Sequence, residues 1–207
     1  MDGEMIRDYL LSASGLMVNK IGGPSVKPYQ PEGVWEVVGM AESNTRHYKQ
    51  DKGDNLYRRS MYSFWKRMAP PAGLEVFNAP NREVCVTRRE RTNTPLMALA
   101  ALNDVQYIEA ARFLAQQTLN DQGRSLDDKF EFLGKRLLCR SFKPNEVQII
   151  KDSLNELTTY YKDRTDDAQK VIKVGEKEVD KTLPPEELAA WTMLVNEMMN
   201  LDEVLSK

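Results

Sequence analysis

Regularly spaced apolar residues run through the second half of this sequence, and they restrict the chain to a mainly helical fold. Leu96, Leu99 and Leu102 form the first stripe. Further stripes with helical spacing occupy 107–119, 126–139, 147–161 and 186–205. Apolar residues at i, i+3, i+4 and i+7 are typical of helices that bury one face. Because short segments connect these stripes, the pattern favours a helical bundle.

Two capping signals place the first boundaries of this bundle. Thr94 suits the position before a helix and Pro95 suits the first helical position. Asn103 and Asp104 can end that helix and cap the next one. A charged linker containing Gly175 is expected before the last helix.

The first half of the chain is predicted to be less regular. Residues 1–20 carry a helical stripe, and Gly22, Gly23 and Pro24 end it. The region 21–93 is then rich in glycine and proline, but its aromatic residues argue for an ordered loop. Within it, 56–68 is expected to form a short helix and 83–87 a short strand or extended segment.

These patterns together predict a mainly α protein. We expect an irregular helical bundle with a long ordered arginine-rich loop and at most a short β element. The expected organisation is a single domain over 1–207, with a helix at 1–20, the loop region at 21–93 and the bundle at 94–207.

Several function classes lack their sequence signals. No apolar run is long enough for a membrane span, and the acidic N-terminus does not resemble an export signal. Cys85 and Cys139 belong to no C-x-x-C-H motif, so no haem attachment or metal site is predicted in this chain. The two thiols are expected to be free. A disulfide between them is the alternative, and the spacing of the two residues does not decide it. The single histidine, His47, lies in a polar stretch and is interpreted as a surface residue.

Positive charge is concentrated in one part of the sequence. The whole chain has 29 basic and 31 acidic residues, but 54–95 holds eight bases and four acids, and seven of the eight bases are arginine. Arginine is favoured over lysine where planar contacts to carboxylate, sulfate or phosphate are made. The arginines could therefore pair with internal acids such as Glu75, Glu83 and Glu90, or line a cleft for an anionic ligand. Nearby aromatics would also suit single-stranded nucleic acid, but a pI near 5.6 argues against it.

One long stretch is more specific than composition: NLYRRSMYSFWKRMAPP, followed by FNAPNREVCVTRRERTNTPLMALAALND. It resembles the C-terminal conserved region of planctomycete-type cytochrome-associated proteins, the domain of unknown function numbered fifteen fifty-three. The opening EMIRDYLLSASGLMVNKIGGPSVKPYQPEGVW and the closing AWTMLVNEMMNLDEVL extend the resemblance. The sequence departs from the family pattern at Val105, where the family has proline after Asn-Asp.

The resemblance implies a setting and a set of candidate residues. Family proteins are extracytoplasmic or periplasmic and carry N-terminal domains, one of them cytochrome-c-like with haem c, so this chain is expected to be the C-terminal fragment of a larger protein. The recurring motif includes Asn93, Thr94 and Pro95, and it supplies the candidate ligand-binding residues Tyr57, Arg58, Arg59, Arg82, Glu83, Arg88, Arg89 and Arg91. No catalytic residue can be assigned.

Three functions follow as expectations. The first is a helical module whose arginine-rich loop packs on the sister domains or binds an anionic ligand such as an acidic saccharide. The second is the half-site of a redox or polysaccharide-processing enzyme that acts on a sugar or anionic substrate and passes electrons to a haem domain. The third, and the least favoured, is a single-stranded nucleic-acid binder.

Overall fold

The computed structural model describes residues 1–121 and 123–206, and these residues divide into two compact units. The first unit comprises Met1–Ser12 and Leu16–Ala100, and the second comprises Ala13–Gly15 and the chain from Ala101 onwards. Whether the two unfold together, as the expected single domain would, stays a prediction.

Helices are the only regular elements of the described residues, which confirms the mainly α prediction. Ten are α-helices: α1 (Gly3–Ser14), α2 (Val34–Val38), α3 (Ala72–Glu75), α4 (Pro95–Asn103), α5 (Val105–Asn120), α6 (Leu126–Leu138), α7 (Pro144–Lys162), α8 (Thr165–Ile172), α9 (Pro185–Met199) and α10 (Asp202–Leu205). Two are 3-10 helices, at Gly53–Tyr57 and Ser60–Tyr62. Throughout the described ranges, no helix has the length and apolar character required to cross a membrane.

The first unit departs from prediction at 56–68, which is not one short helix. The two 3-10 turns are separated by Arg58, whose backbone is extended. The Val18 amide donates to the Tyr57 carbonyl at 3.0 Å, and the Val26 amide donates to the Tyr62 carbonyl at 2.8 Å. Because these main-chain groups bond to the preceding loop, they cannot close helical turns. Residues 83–87, expected as a short strand or extended segment, form no strand and consist of bends and irregular backbone.

The capping signals at the start of the bundle are confirmed. The Thr94 hydroxyl accepts a hydrogen bond from the Met97 amide at 3.3 Å, and α4 begins at Pro95. The Asp104 carboxylate accepts from the Gln106 amide at 2.8 Å and caps α5. These side chains satisfy amides that have no partner within the first turn of a helix.

The second unit is organised around α9, which packs against α5, α7 and α8. Its buried face includes Leu188, Leu194, Val195 and two consecutive alanines, Ala189–Ala190. Small side chains allow neighbouring helices to approach closely, and the larger ones fill the space between them. The burial of α9 on several sides explains why it forms the centre of this unit.

Two details of the second unit differ from the sequence pattern. The expected charged linker contains α8, because Ala168 and Ile172 lie four residues apart and are both buried while the charged residues face solvent. The last predicted helix, 186–205, is interrupted after Met199, and α10 begins at Asp202. Both thiols are free and exposed, one at Cys85 in the first unit and one at Cys139 in the second.

An arginine at the end of α6 holds the start of α7 and the last helix. The Arg140 guanidinium donates to Glu146 at 2.7 and 3.0 Å and to Glu203 at 2.9 and 2.7 Å. Glu146 also accepts from the Lys143 amide at 2.8 Å, which caps α7. These bonds, first the one from Arg140 and then the one from Lys143, lower the pKa of Glu146 from 4.5 to about 2. The carboxylate therefore stabilises the fold in its ionised form.

Replacing Glu146 with glutamine should destabilise the protein in a pH-dependent way. A carboxyl whose folded pKa lies below its unfolded pKa contributes stability above the unfolded value, near 4.5, and loses it as the pH falls towards about 2. At pH 7 we expect E146Q to lower the free energy of unfolding by roughly 1 kcal/mol, the usual value of a helix cap. Urea titrations between pH 7 and pH 2 should show the difference disappear, whereas E156Q, at an exposed site on the same helix, should change little at any pH. A constant difference across this range would contradict the assignment.

Candidate functional site

A buried arginine on α1 holds the segment that carries the first candidate residues. Arg7 is 6% exposed, and its guanidinium donates to the carbonyls of Leu56 at 2.8 Å and Arg58 at 2.9 Å, and to the Ser60 hydroxyl at 3.0 Å. The neighbouring Asp8 carboxylate accepts from the Ser60 amide at 2.7 Å. One helical turn of α1 therefore fixes the backbone of 56–60, where the chain passes from one 3-10 turn to the next. Sequence reasoning missed Arg7, whose only signal is an arginine inside an otherwise apolar stripe.

Arg58 performs the same task for the glycine-rich loop that follows α1. Its side chain is 2% exposed and donates to the carbonyls of Lys20 at 2.8 Å, Gly22 at 2.6 Å and Pro24 at 3.0 Å. The guanidinium also lies 3.9 Å from the centre of the Tyr62 ring. The partners of this buried cation are thus carbonyl dipoles and a ring face rather than carboxylates. Tyr57, at 2% exposure, is buried with it.

The remaining ion pairs use acids other than those expected from the sequence. Among the described residues, Glu75, Glu83 and Glu90 pair with no arginine. The partners lie at the start of the chain instead: Arg59 Nε is 3.5 Å from Asp8, Arg89 Nη1 is 2.8 Å from Glu4, and Arg91 Nε is 2.9 Å from Asp2. The sequence signal for these partners is the cluster of three acids at positions 2, 4 and 8, near the N-terminus of the first predicted helix, where acids are favoured.

Residues 81–93, hereafter the arginine loop, carry the other candidates and are exposed throughout. Arg82 has a positive φ of 63°, and its guanidinium lies 4.3 Å from the centre of the Trp65 ring. Trp65 Nε1 donates to the Asn81 carbonyl at 3.1 Å. These contacts attach the start of the loop to the Trp65 segment of the same unit. Two apolar side chains on the loop face solvent, Val84 at 70% exposure and Val86 at 49%.

An open groove of about 930 Å³ lies beside this loop. It is lined by Asp2 and by residues 88–92. Arg89 and Arg91 are held there by their ion pairs with the N-terminal acids, whereas the Arg88 guanidinium meets no hydrogen-bond or ion-pair partner among the described residues. The structure therefore brings Arg88, Arg89 and Arg91 together at the groove. Arg82 and Glu83 lie earlier in the same loop and do not line the groove, and Tyr57 and Arg58 are buried.

Metal ligands and histidine chemistry find little support in the described residues. They contain no group of three or more His, Cys, Asp and Glu side chains that could hold a metal ion. The exposed His47 has its Nδ1 at 3.1 Å from a Glu36 carboxylate oxygen. A main-chain hydrogen bond at Glu36, and then the bond with His47, lower the pKa of that carboxyl.

A family match supports the resemblance seen in the sequence. The family described as PSD1, protein of unknown function (DUF1553), matches residues 1–154. The chain belongs to this family. No curated protein matches the chain, and no solved structure matches it either.

The DUF1553 match covers all of the segments that form the site. It includes α1, the loop after it, the arginine loop and the helices up to the first half of α7. The closing AWTMLVNEMMNLDEVL lies beyond the matched residues, so its resemblance to the family stays a prediction. The family's association with cytochromes and with planctomycetes also stays an expectation.

Lysine substitutions in this DUF1553 protein should show that the buried Arg58 contributes to the free energy of unfolding and that the exposed Arg88 does not. Lysine has no planar fork to reach three carbonyls, so R58K should lower the free energy of unfolding by about 2 kcal/mol or more. R88K changes a side chain with no partner in the described chain and should stay within about 0.5 kcal/mol of the parent protein. Chemical denaturation of both variants tests this difference. Equal effects would contradict the structural role of Arg58.

Proposed function

We propose that this chain is the helical interaction module of an extracytoplasmic, cytochrome-c-associated protein, and that its arginine loop docks on an acidic face of a sister domain. The observation that carries the proposal is the exposure of the whole loop, with the Arg88 guanidinium lacking a partner in the described chain and Val84 and Val86 facing water. The family resemblance supplies the expectation of a sister domain.

The composition of the loop suits a protein interface. Arginine is enriched at protein interfaces, where its fork donates to carboxylates while its carbon chain covers apolar surface. Exposed Val84 and Val86 supply apolar area next to the charges. A loop with both features gains more from a protein surface than from water.

The loop is also partly ordered before any partner binds. Asp2 and Glu4 hold the guanidinium groups of Arg89 and Arg91, and the Trp65 ring supports Arg82. A side chain that is already positioned loses less conformational entropy on binding. The same acids partly neutralise Arg89 and Arg91, whereas Arg88 has no acidic partner among the described residues and is free to attract a negative partner.

An acidic saccharide in the groove is the second version of this proposal. The groove volume of about 930 Å³ would accommodate it, and Arg88 would contact its carboxylate or sulfate. However, Asp2 and Glu90 also line the groove, and they offset much of the positive charge of Arg89 and Arg91 that a polyanion would need. A protein face can place its acids opposite Arg88 and away from Asp2 and Glu90, so we favour the sister domain.

The test is binding between this chain and the cytochrome-c-like sister region, produced as a separate polypeptide and measured by titration calorimetry. We expect R88E to weaken the dissociation constant at least tenfold, which is about 1.4 kcal/mol. R67E is the matched control, because Arg67 is an exposed arginine of the same unit, lies outside the loop, and has no partner among the described residues. It should weaken binding less than about twofold.

The salt dependence of binding provides a second test of the docking proposal, and the genomic sequence upstream provides a third. Attraction between exposed charges is screened by salt, so raising the NaCl concentration should weaken the parent interaction and affect R88E much less. Absence of binding, or equal effects of R88E and R67E, would contradict the docking proposal. A genomic region upstream without a cytochrome-c-like coding sequence would remove the expected partner.

A further inference from the structure

A second surface, in the second unit, has the form of a helix-binding groove. Its walls are two stripes with the same spacing, one of them Glu146, Ile149, Ile150 and Ser153 on α7, the other Leu194, Glu197, Met198 and Leu201 on α9 and just after it. The Ser153 hydroxyl donates to the Glu197 carboxylate at 2.8 Å and joins the two walls. The cavity between them is about 400 Å³. Parallel stripes at i, i+3, i+4 and i+7 are the surface on which a third helix can pack.

The groove is apolar, and part of it is open to water. The deeper residues of the two walls are Ile150, Leu194 and Met198, and they are buried at 9%, 1% and 4% exposure. Ile149 on one wall is 66% exposed and Leu201 on the other is 41% exposed. Burying such side chains would release about 25 cal/mol for each Å² of apolar surface. A partner that covers both walls at once would gain this energy without displacing any element of the fold.

The charges around the groove decide what kind of partner fits. Four carboxylates lie in its lining, those of Glu146, Glu197, Asp202 and Glu203, against a single base, Arg140. Glu146 and Glu203 already hold that base. The surrounding sequence has the same sign, since residues 144–207 contain 14 acids and eight bases. An acidic helix or an anionic lipid surface would be repelled, whereas lysines and arginines beside an apolar stripe would be attracted by the excess of carboxylates in the lining.

We infer that this groove binds an amphipathic helix of a partner protein, with apolar residues directed into the groove and basic residues against its carboxylate rim. The site is separate from the arginine loop in its residues and opposite to it in charge. A failure of the loop proposal therefore leaves this one standing, and the reverse also holds.

A displayed library of helical peptides tests the inference with the full chain. Each peptide would have about 18 residues, five helical turns, with leucine fixed at i, i+3, i+4 and i+7 and with Lys, Glu and Gln randomised at the flanking positions. Selection on the immobilised chain should enrich lysine over glutamate at the flanks by roughly threefold or more. Selection of glutamate-rich peptides, or no enrichment at all, would overturn the inference.

Variants of the chain then locate the binding site of the selected peptides. I149E should weaken their affinity at least tenfold, and it should leave the circular dichroism spectrum and melting temperature unchanged because Ile149 is exposed. E197Q should weaken binding about threefold, while E156Q, an exposed position on α7 outside the groove lining, should have no effect. V105A is the control for an exposed apolar residue elsewhere in the second unit.

Two results would assign the groove to a different occupant and contradict the proposal. One is self-association of the chain that I149E abolishes, which would identify a second copy as the partner. The other is binding of a small uncharged apolar dye that no selected peptide displaces, which would identify a small-molecule site. Unchanged peptide affinity of I149E would exclude the groove altogether.

Discussion

The first unit depends on two buried guanidinium groups that bind main-chain carbonyls. Arg7 ties α1 to the backbone at Leu56 and Arg58, and Arg58 in turn ties that backbone to the carbonyls of Lys20, Gly22 and Pro24. A loop as long as this has few hydrogen bonds of its own, so its carbonyls need donors from elsewhere. One guanidinium supplies several N–H donors. Two arginines can therefore satisfy carbonyls of this loop that a β-sheet would satisfy with main-chain amides.

This arrangement separates structural arginines from those available for binding. Arg7 and Arg58 use their donors inside the unit, and their positive charge is stabilised by carbonyl dipoles and the Tyr62 ring. The arginine loop has the opposite character, because its side chains face water and only some of them meet Asp2 and Glu4. A charge that folding does not use can act in recognition. In the second unit, the groove between α7 and α9 has an excess of carboxylates, and these charges would attract a basic partner.

The helices were largely predictable because their signals are local. Thr94 and Pro95 mark the start of α4, Asp104 marks the start of α5, and the spacing of apolar residues gives α6 and α7. The prediction failed at 56–68, where LYRRSMYSFWKRM is compatible with a helix and tertiary hydrogen bonds to Val18 and Val26 decide otherwise. It also failed for α8, whose apolar side is too narrow to stand out from its charges.

The candidate site was predictable in composition but not in geometry. The excess of arginine in 54–95 is visible in the sequence, and the structure shows that Arg58 is buried and that Arg89 and Arg91 form ion pairs. Their partners could not be read from the sequence, because a carbonyl group is present at every residue and leaves no pattern. The acids that do pair with the arginine loop lie more than 80 positions away, at Asp2 and Glu4. Such long-range pairs are visible only in the folded chain.

Amide hydrogen exchange of the R58K variant tests the central claim most directly. The amides of Val18, Val26 and Phe64 donate to main-chain carbonyls in the first unit and should exchange slowly in the parent protein. If the Arg58 guanidinium orders this loop, these three amides should lose protection in R58K while the amides of α9 keep theirs. Unchanged protection of the three amides would contradict the account.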